Sequence, residues 1–188
     1  MTGTMVYLPG QILSNAFTVR LNTSGSFGNF EIFSERMVDM VVDVAGYYSN
    51  EMVDANGPGL LFTPLPHPLH ILDTRANQGN CDAVSTPITG GNSSAVLARQ
   101  TCESLTIPAT AQTVLGNVTV INQTAQVGFL TLYPDGIAQP VVGNMVYAPN
   151  QILSNAFVVG LNSGTGQFRI FAERTLDAIV DVSGYFAP

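Results

Sequence analysis

Apolar and polar residues alternate in short runs along most of this chain. Near its start Ala16, Thr18 and Arg20 face one way while Phe17, Val19 and Leu21 face the other, and Phe30 and Ile32 alternate with Glu31 and Phe33. A period of two places successive side chains on opposite faces of an extended strand, so each such run predicts a β-strand with one face to bury. Val, Ile, Phe and Tyr recur inside the runs, and Gly, Pro, Asn, Ser and Thr bound them, which is the chemistry of strands punctuated by turns. No stretch carries a long helical period. The expected fold is all-β, an antiparallel, sandwich-like domain built from hairpins.

The pattern also repeats at long range. QILSNAF occurs at residues 11–17 and again at 151–157, inside a longer match. Residues 3–48 read GTMVYLPGQILSNAFTVRLNTSGSFGNFEIFSERMVDMVVDVAGYY, and residues 143–186 read GNMVYAPNQILSNAFVVGLNSGTGQFRIFAERTLDAIVDVSGYF. The two-residue difference in length falls in the glycine-rich turn between Asn22 and Phe30, where a hairpin tolerates change. A fainter relative, LGNVTVINQTAQVGFLTLYP at 115–134, aligns with residues 153–173, so the unit is built either from two related hairpins or from ordinary strand-turn-strand chemistry.

The resulting plan has an incomplete copy at 1–49, a Pro/Gly-rich linker at 50–69 and a complete β-domain at 70–188, with residues 60–69 left open to pack against that domain. The first copy has the end of such a domain without its beginning. Its apolar face, around Phe17, Val19, Leu21, Phe30 and Ile32, therefore has no matching half. Such a face invites pairing with other chains. The expectation is self-association, as a head-to-tail homopolymer or a tandem array in which a neighbouring chain or repeat supplies the missing strands. Closure on the chain's own domain, and the chain being an excerpt of a longer array, are the other solutions.

Composition narrows the function. The 188 residues suffice for one ordinary domain plus a fragment. Thirteen acids stand against six bases, a net charge of −7 with no basic cluster, which argues against nucleic acid or an anionic membrane surface as partner. No apolar run reaches the length of a membrane span, and no signal-peptide pattern follows Met1. All six bases are arginine. Without lysine there is no Schiff base, phosphate-loop lysine or lysine-asparagine crosslink. Cys81 and Cys102 lie in a polar, loop-like region and read as a disulfide in an oxidising, extracellular setting, with two reduced thiols as the alternative. The closed loop would contribute roughly 3 kcal/mol.

Five motifs in order, ILDTR, IPATAQTVLGNVTVINQT, GFLTLYPDG, LSNAFVV and IVDVSGYF, resemble a β-rich repeat domain of secreted and surface proteins of bacteria, notably actinobacterial ones. The resemblance covers residues 60–188, and covers 3–48 as a C-terminal part only. It implies an extracellular module, commonly in tandem, with no assigned catalytic residues.

The acidic residues are the candidates for chemistry. Asp73 and Arg75 in LDTR share a strand face, and Asp43 and Asp181 end strands in the two DVxGY motifs, where a carboxylate is well placed to accept turn amides or an arginine. These four residues read as a structural polar clasp rather than an active site. The acids leave room for calcium, but there is no dense run of oxygen ligands of the DxDxDG kind. His67 and His70, in HPLH, lack the spacing of a helical metal pair. No serine sits in a GxSxG elbow, and Glu35 and Glu173, beside Arg36 and Arg174, read as surface ion pairs. Neither catalytic nor metal-binding residues are assigned, no cofactor is expected, and the chain reads as a non-enzyme. Paired carboxylates for glycoside cleavage meet only in three dimensions. The sequons at Asn22, Asn92, Asn117 and Asn122 would carry glycans only in a eukaryote.

Function is therefore expected to be that of an extracellular structural protein, a unit of a filament, sheath or surface layer. The alternative is a polysaccharide- or cell-wall-binding module presenting Tyr7, Tyr47, Tyr48, Tyr147 and Tyr185. The chain has no tryptophan, and these tyrosines sit inside repeated strand motifs, which suits packing better.

Overall fold

The structure, a computed structural model, describes residues 4–22, 28–49, 53–54, 57–79, 81–82 and 84–188. The turn expected between Asn22 and Phe30 and parts of the expected linker lie largely outside them. Among the described residues twelve strands run in order. β1 (Val53–Asp54) and β2 (Gly57–Pro58) form a small ribbon. β3 (Leu61–Asp73) and β4 (Asn92–Leu97) follow, then the ribbon of β5 (Thr101–Cys102) and β6 (Leu105–Thr106). β7 (Thr113–Asn122), β8 (Gly128–Pro134), β9 (Met145–Tyr147), β10 (Ile152–Gly160), β11 (Gln167–Ala172) and β12 (Leu176–Ala187) complete the chain.

Two antiparallel four-stranded sheets pack face to face, with orders β10-β7-β12-β3 and β4-β11-β8-β9. Their inner faces carry the alternation read in the sequence. Val114, Val118 and Val120 of β7 are buried against Phe168 and Ile170 of β11, Leu130 of β8 and Val180 and Val182 of β12, in one hydrophobic core. β-branched and aromatic side chains suit such pleated surfaces, and each fully buried one contributes about 1.5–3 kcal/mol. The architecture is thus the expected all-β sandwich.

The connections differ from the expected hairpins. β7 and β8 belong to different sheets, as do β10 and β11, so each turn is an arch that crosses the core rather than a hairpin that stays in one sheet. The two arches pair strand for strand, β10 on β7 and β11 on β8. Asn122 and Asn162 clamp their turns in the same way. The Asn122 Oδ1 accepts from the Thr124 amide at 3.0 Å, and the Asn162 Oδ1 accepts from the Gly164 and Thr165 amides at 2.8 and 2.9 Å.

A second difference concerns the expected linker. From Leu61 onward it is strand, paired with β12 at the edge of its sheet. Pro64, Pro66 and Pro68 fall at or beside the register slip between Val182 and Gly184, and an edge strand is where a sheet can tolerate missing donors. The outer rim of β3 is closed further along by the loop that follows it, where Cys81 and Asp82 donate their amides to the His70 and Ile71 carbonyls.

β3 to β8 come from the first part of the domain and β9 to β12 from the repeated part, and in both sheets the two sets alternate. No strand of the repeated part is hydrogen-bonded to another strand of that part.

Candidate functional site

At the end of β3 the ILDTR motif is tied down by side chains. Asp73 is fully buried and accepts from the Arg75 amide at 3.0 Å, from Arg75 Nε at 3.0 Å and from Nη2 at 2.6 Å. The arginine side chain folds back over the carboxylate it follows, which holds that carboxyl below the ordinary 3.8 in spite of burial. Thr74 reaches the other way. Its hydroxyl donates to Asp177 at 2.9 Å and accepts from the Ala178 amide at 2.9 Å, and Gln123 Nε2 donates to the second Asp177 oxygen at 2.9 Å. The motif thereby staples β3 to β12 and to the β7–β8 arch.

Asp181 lies one bulge further along β12, opposite His70. Its Oδ1 is 2.8 Å from His70 Nδ1, and His70 Nε2 is 3.5 Å from Asp73 Oδ2. Asp181 therefore meets His70 rather than Arg75. Both nitrogens of this imidazole face carboxylates, so neither is turned toward a nucleophile. A carboxylate held by Arg75 is a weak base as well, and the group has the chemistry of a clasp. Asp43, the repeat counterpart of Asp181, sits elsewhere and accepts from the Gly143 amide at 3.3 Å. His70, Thr74 and Asp177 were not read from the sequence as members of the clasp. The signal available was the recurrence of Asp177 as Asp39 in the first copy.

Cys81 and Cys102 form a disulfide, their Cα atoms 5.8 Å apart. It ties the loop that closes the β3 rim to the β5–β6 ribbon, whose tight turn holds Glu103 and Ser104 at φ 50° and 68°.

The first copy is the other candidate site. Its backbone forms no strand among the described residues, only a bridge between Asn22 and Asn29. The alternating strands expected there do not form among the described residues; in the complete domain each of their counterparts pairs with β3, β4, β7 or β8. Even so, it reproduces several internal contacts of the second copy. Leu8 N donates to Gln11 Oε1 at 2.9 Å, as Ala148 N does to Gln151 Oε1 at 2.7 Å. Asn15 Nδ2 donates to the Thr4 carbonyl at 3.2 Å, as Asn155 Nδ2 does to that of Asn144 at 3.2 Å. Phe17 and Phe30 meet at 5.9 Å, as Phe157 and Phe168 do at 5.9 Å. Gly10 and Asn150 hold the same left-handed turn, at φ 70° and 52°.

What differs is cover. Phe17, Val19, Leu21 and Ile32 are 47, 45, 46 and 48% exposed, against 4, 5, 8 and 0% for Phe157, Val159, Leu161 and Ile170. Phe30 is half-buried. The complete domain touches this copy without covering its face. Ser14 Oγ accepts from the Val146 amide at 2.9 Å, Ala16 N donates to Asn155 Oδ1 at 3.0 Å, and the Tyr48 ring lies tilted against Phe186 at 6.3 Å.

Among the described residues, shallow depressions of about 360 and 490 Å³ share Arg99 and Ala109. Arg99 spends its guanidinium on the Ala111 and Ser163 carbonyls, each at 2.7 Å. Among the described residues no group of three or more His, Cys, Asp or Glu is placed to hold a metal ion, and no helix is long and apolar enough to cross a membrane. The chain matches no protein-family model, no curated protein and no solved structure.

Proposed function

We propose that this protein is an extracellular structural module, a unit of a surface layer, sheath or filament, in which successive units are joined when the incomplete first copy is completed by a neighbouring chain or repeat. The observation that carries the reading is the first copy itself: it keeps several internal contacts of its counterpart while its apolar face stands half exposed. Exposed apolar faces of this extent mark contact sites. The disulfide and the all-β fold suit an oxidising exterior, and a carboxylate clasp with both imidazole nitrogens engaged suits a framework better than a catalyst. Antibody labelling of intact producing cells should find the protein on the surface, and removing residues 1–49 should release it into the medium. Finding it in the cytosol with both thiols free would refute the reading. The polysaccharide-binding alternative keeps support from Tyr47 and Tyr48, which are 60 and 70% exposed, whereas Tyr147 is buried. Retention on an insoluble glycan column, lost on replacing both exposed tyrosines by alanine, would favour it.

A further inference from the structure

We infer that the occupant of the first copy is a polypeptide segment of the β3-to-β8 type, and that a second copy of residues 1–188 cannot serve. This deepens the completion joint proposed above by naming what completes it. Residues 1–188 hold one β3-to-β8 segment and two copies of the repeated part, so exchange of segments between two such stretches still leaves one repeated part uncovered in each. The alternation of the sheets says what must enter: one strand between the counterparts of β10 and β12, one between those of β9 and β11, and an outer strand for each sheet. A single continuous segment, in the order of residues 60–142, delivers all four.

Gly46 bears the imprint of that segment. Its counterpart Gly184 needs to be glycine, because a Cβ there would lie 2.5 Å from the Phe62 ring and 2.8 Å from the Thr63 carbonyl oxygen, both on β3. At Gly46 a Cβ would meet nothing within 4 Å, so no contact among the described residues requires the glycine; a β3-type strand laid against it would. Asp39 and Asp43 likewise stand in the places of Asp177 and Asp181, the carboxylates that receive Thr74 and His70 of a first half.

The test fuses residues 60–142 of this sequence ahead of Met1 of the full chain, and reads amide exchange across residues 12–20 and 38–44 with and without Gly46→Val. Fusion should slow exchange of those amides by about a hundredfold or more. Gly46→Val should leave the unfused chain unchanged and abolish the protection in the fusion. Three results would overturn the inference: amides in the fusion that exchange as in the unfused chain, a fusion indifferent to Gly46→Val, or an unfused chain that dimerises with the same amides protected, which would make a second copy the occupant. Surface labelling of the natural chain is read separately. A fusion that closes beside a cytosolic protein would therefore refute the structural role alone, and a surface protein whose fusion stays open would refute this inference alone.

Discussion

Asp73 shows how a buried charge becomes a stabilising one. The Arg75 hydrogen bonds hold its folded-state pKa below the ordinary 3.8 of the unfolded chain. A depressed carboxylate contributes stability that is fully present above its unfolded value and is lost as pH falls through the folded one. The melting temperature should therefore decline on acidification below about pH 4, and Arg75→Ala should lower it at neutral pH and flatten that acid limb. A variant melting like the parent at pH 7 would show that the clasp does not hold β3. A paired substitution separates covered from uncovered faces. Phe168→Ala in the core should cost about 3–5 kcal/mol in chemical denaturation. Its counterpart Phe30→Ala should fall within about 0.5 kcal/mol, because that ring loses mainly its contact with Phe17.

At the scale of the element, the strands were legible and their partners were not. Residues 113–122 and 167–172 alternate in the sequence as they do in burial, since a period of two follows from the backbone alone. Whether the next strand lies beside or across the core leaves the same pattern, which is why the arches read as hairpins. The proline-rich first half of β3 was hidden for a different reason. Pro64, Pro66 and Pro68 speak against a central strand, and only the sheet order reveals that it lies on an edge. The clasp was legible at Asp73 and Arg75, which are neighbours in sequence, and illegible at His70 and Asp181, which meet across 111 residues through the ladder register. The Cys81–Cys102 bond holds the loop that seals that same edge. Reducing it should lower stability by about 3 kcal/mol, and should speed exchange at the amides of Cys81 and Asp82 before the rest of the sandwich loosens.

On the scale of the whole molecule, the alternating sheets make the sandwich one cooperative body, and the first copy an appendage attached by a handful of bonds. Deleting residues 1–49 should accordingly shift the melting temperature of the sandwich by less than about 4 °C. A larger loss would mean that the appendage is part of the fold. The same topology also decides how the protein carries a pull. Leu61 pairs with Ala187, so the chain enters and leaves the sandwich at one end and on neighbouring strands. Tension applied through those two points would part β3 from β12 like a zip, one rung after another, beginning with the aromatic pair Phe62 and Phe186 and ending at the Asp73 clasp. Such a module yields at low force and lengthens gradually. Stretched singly, it should give up roughly 65 Å more under reducing conditions, the slack of the 21-residue span that the disulfide withholds. A layer woven from such units would stretch before it tore.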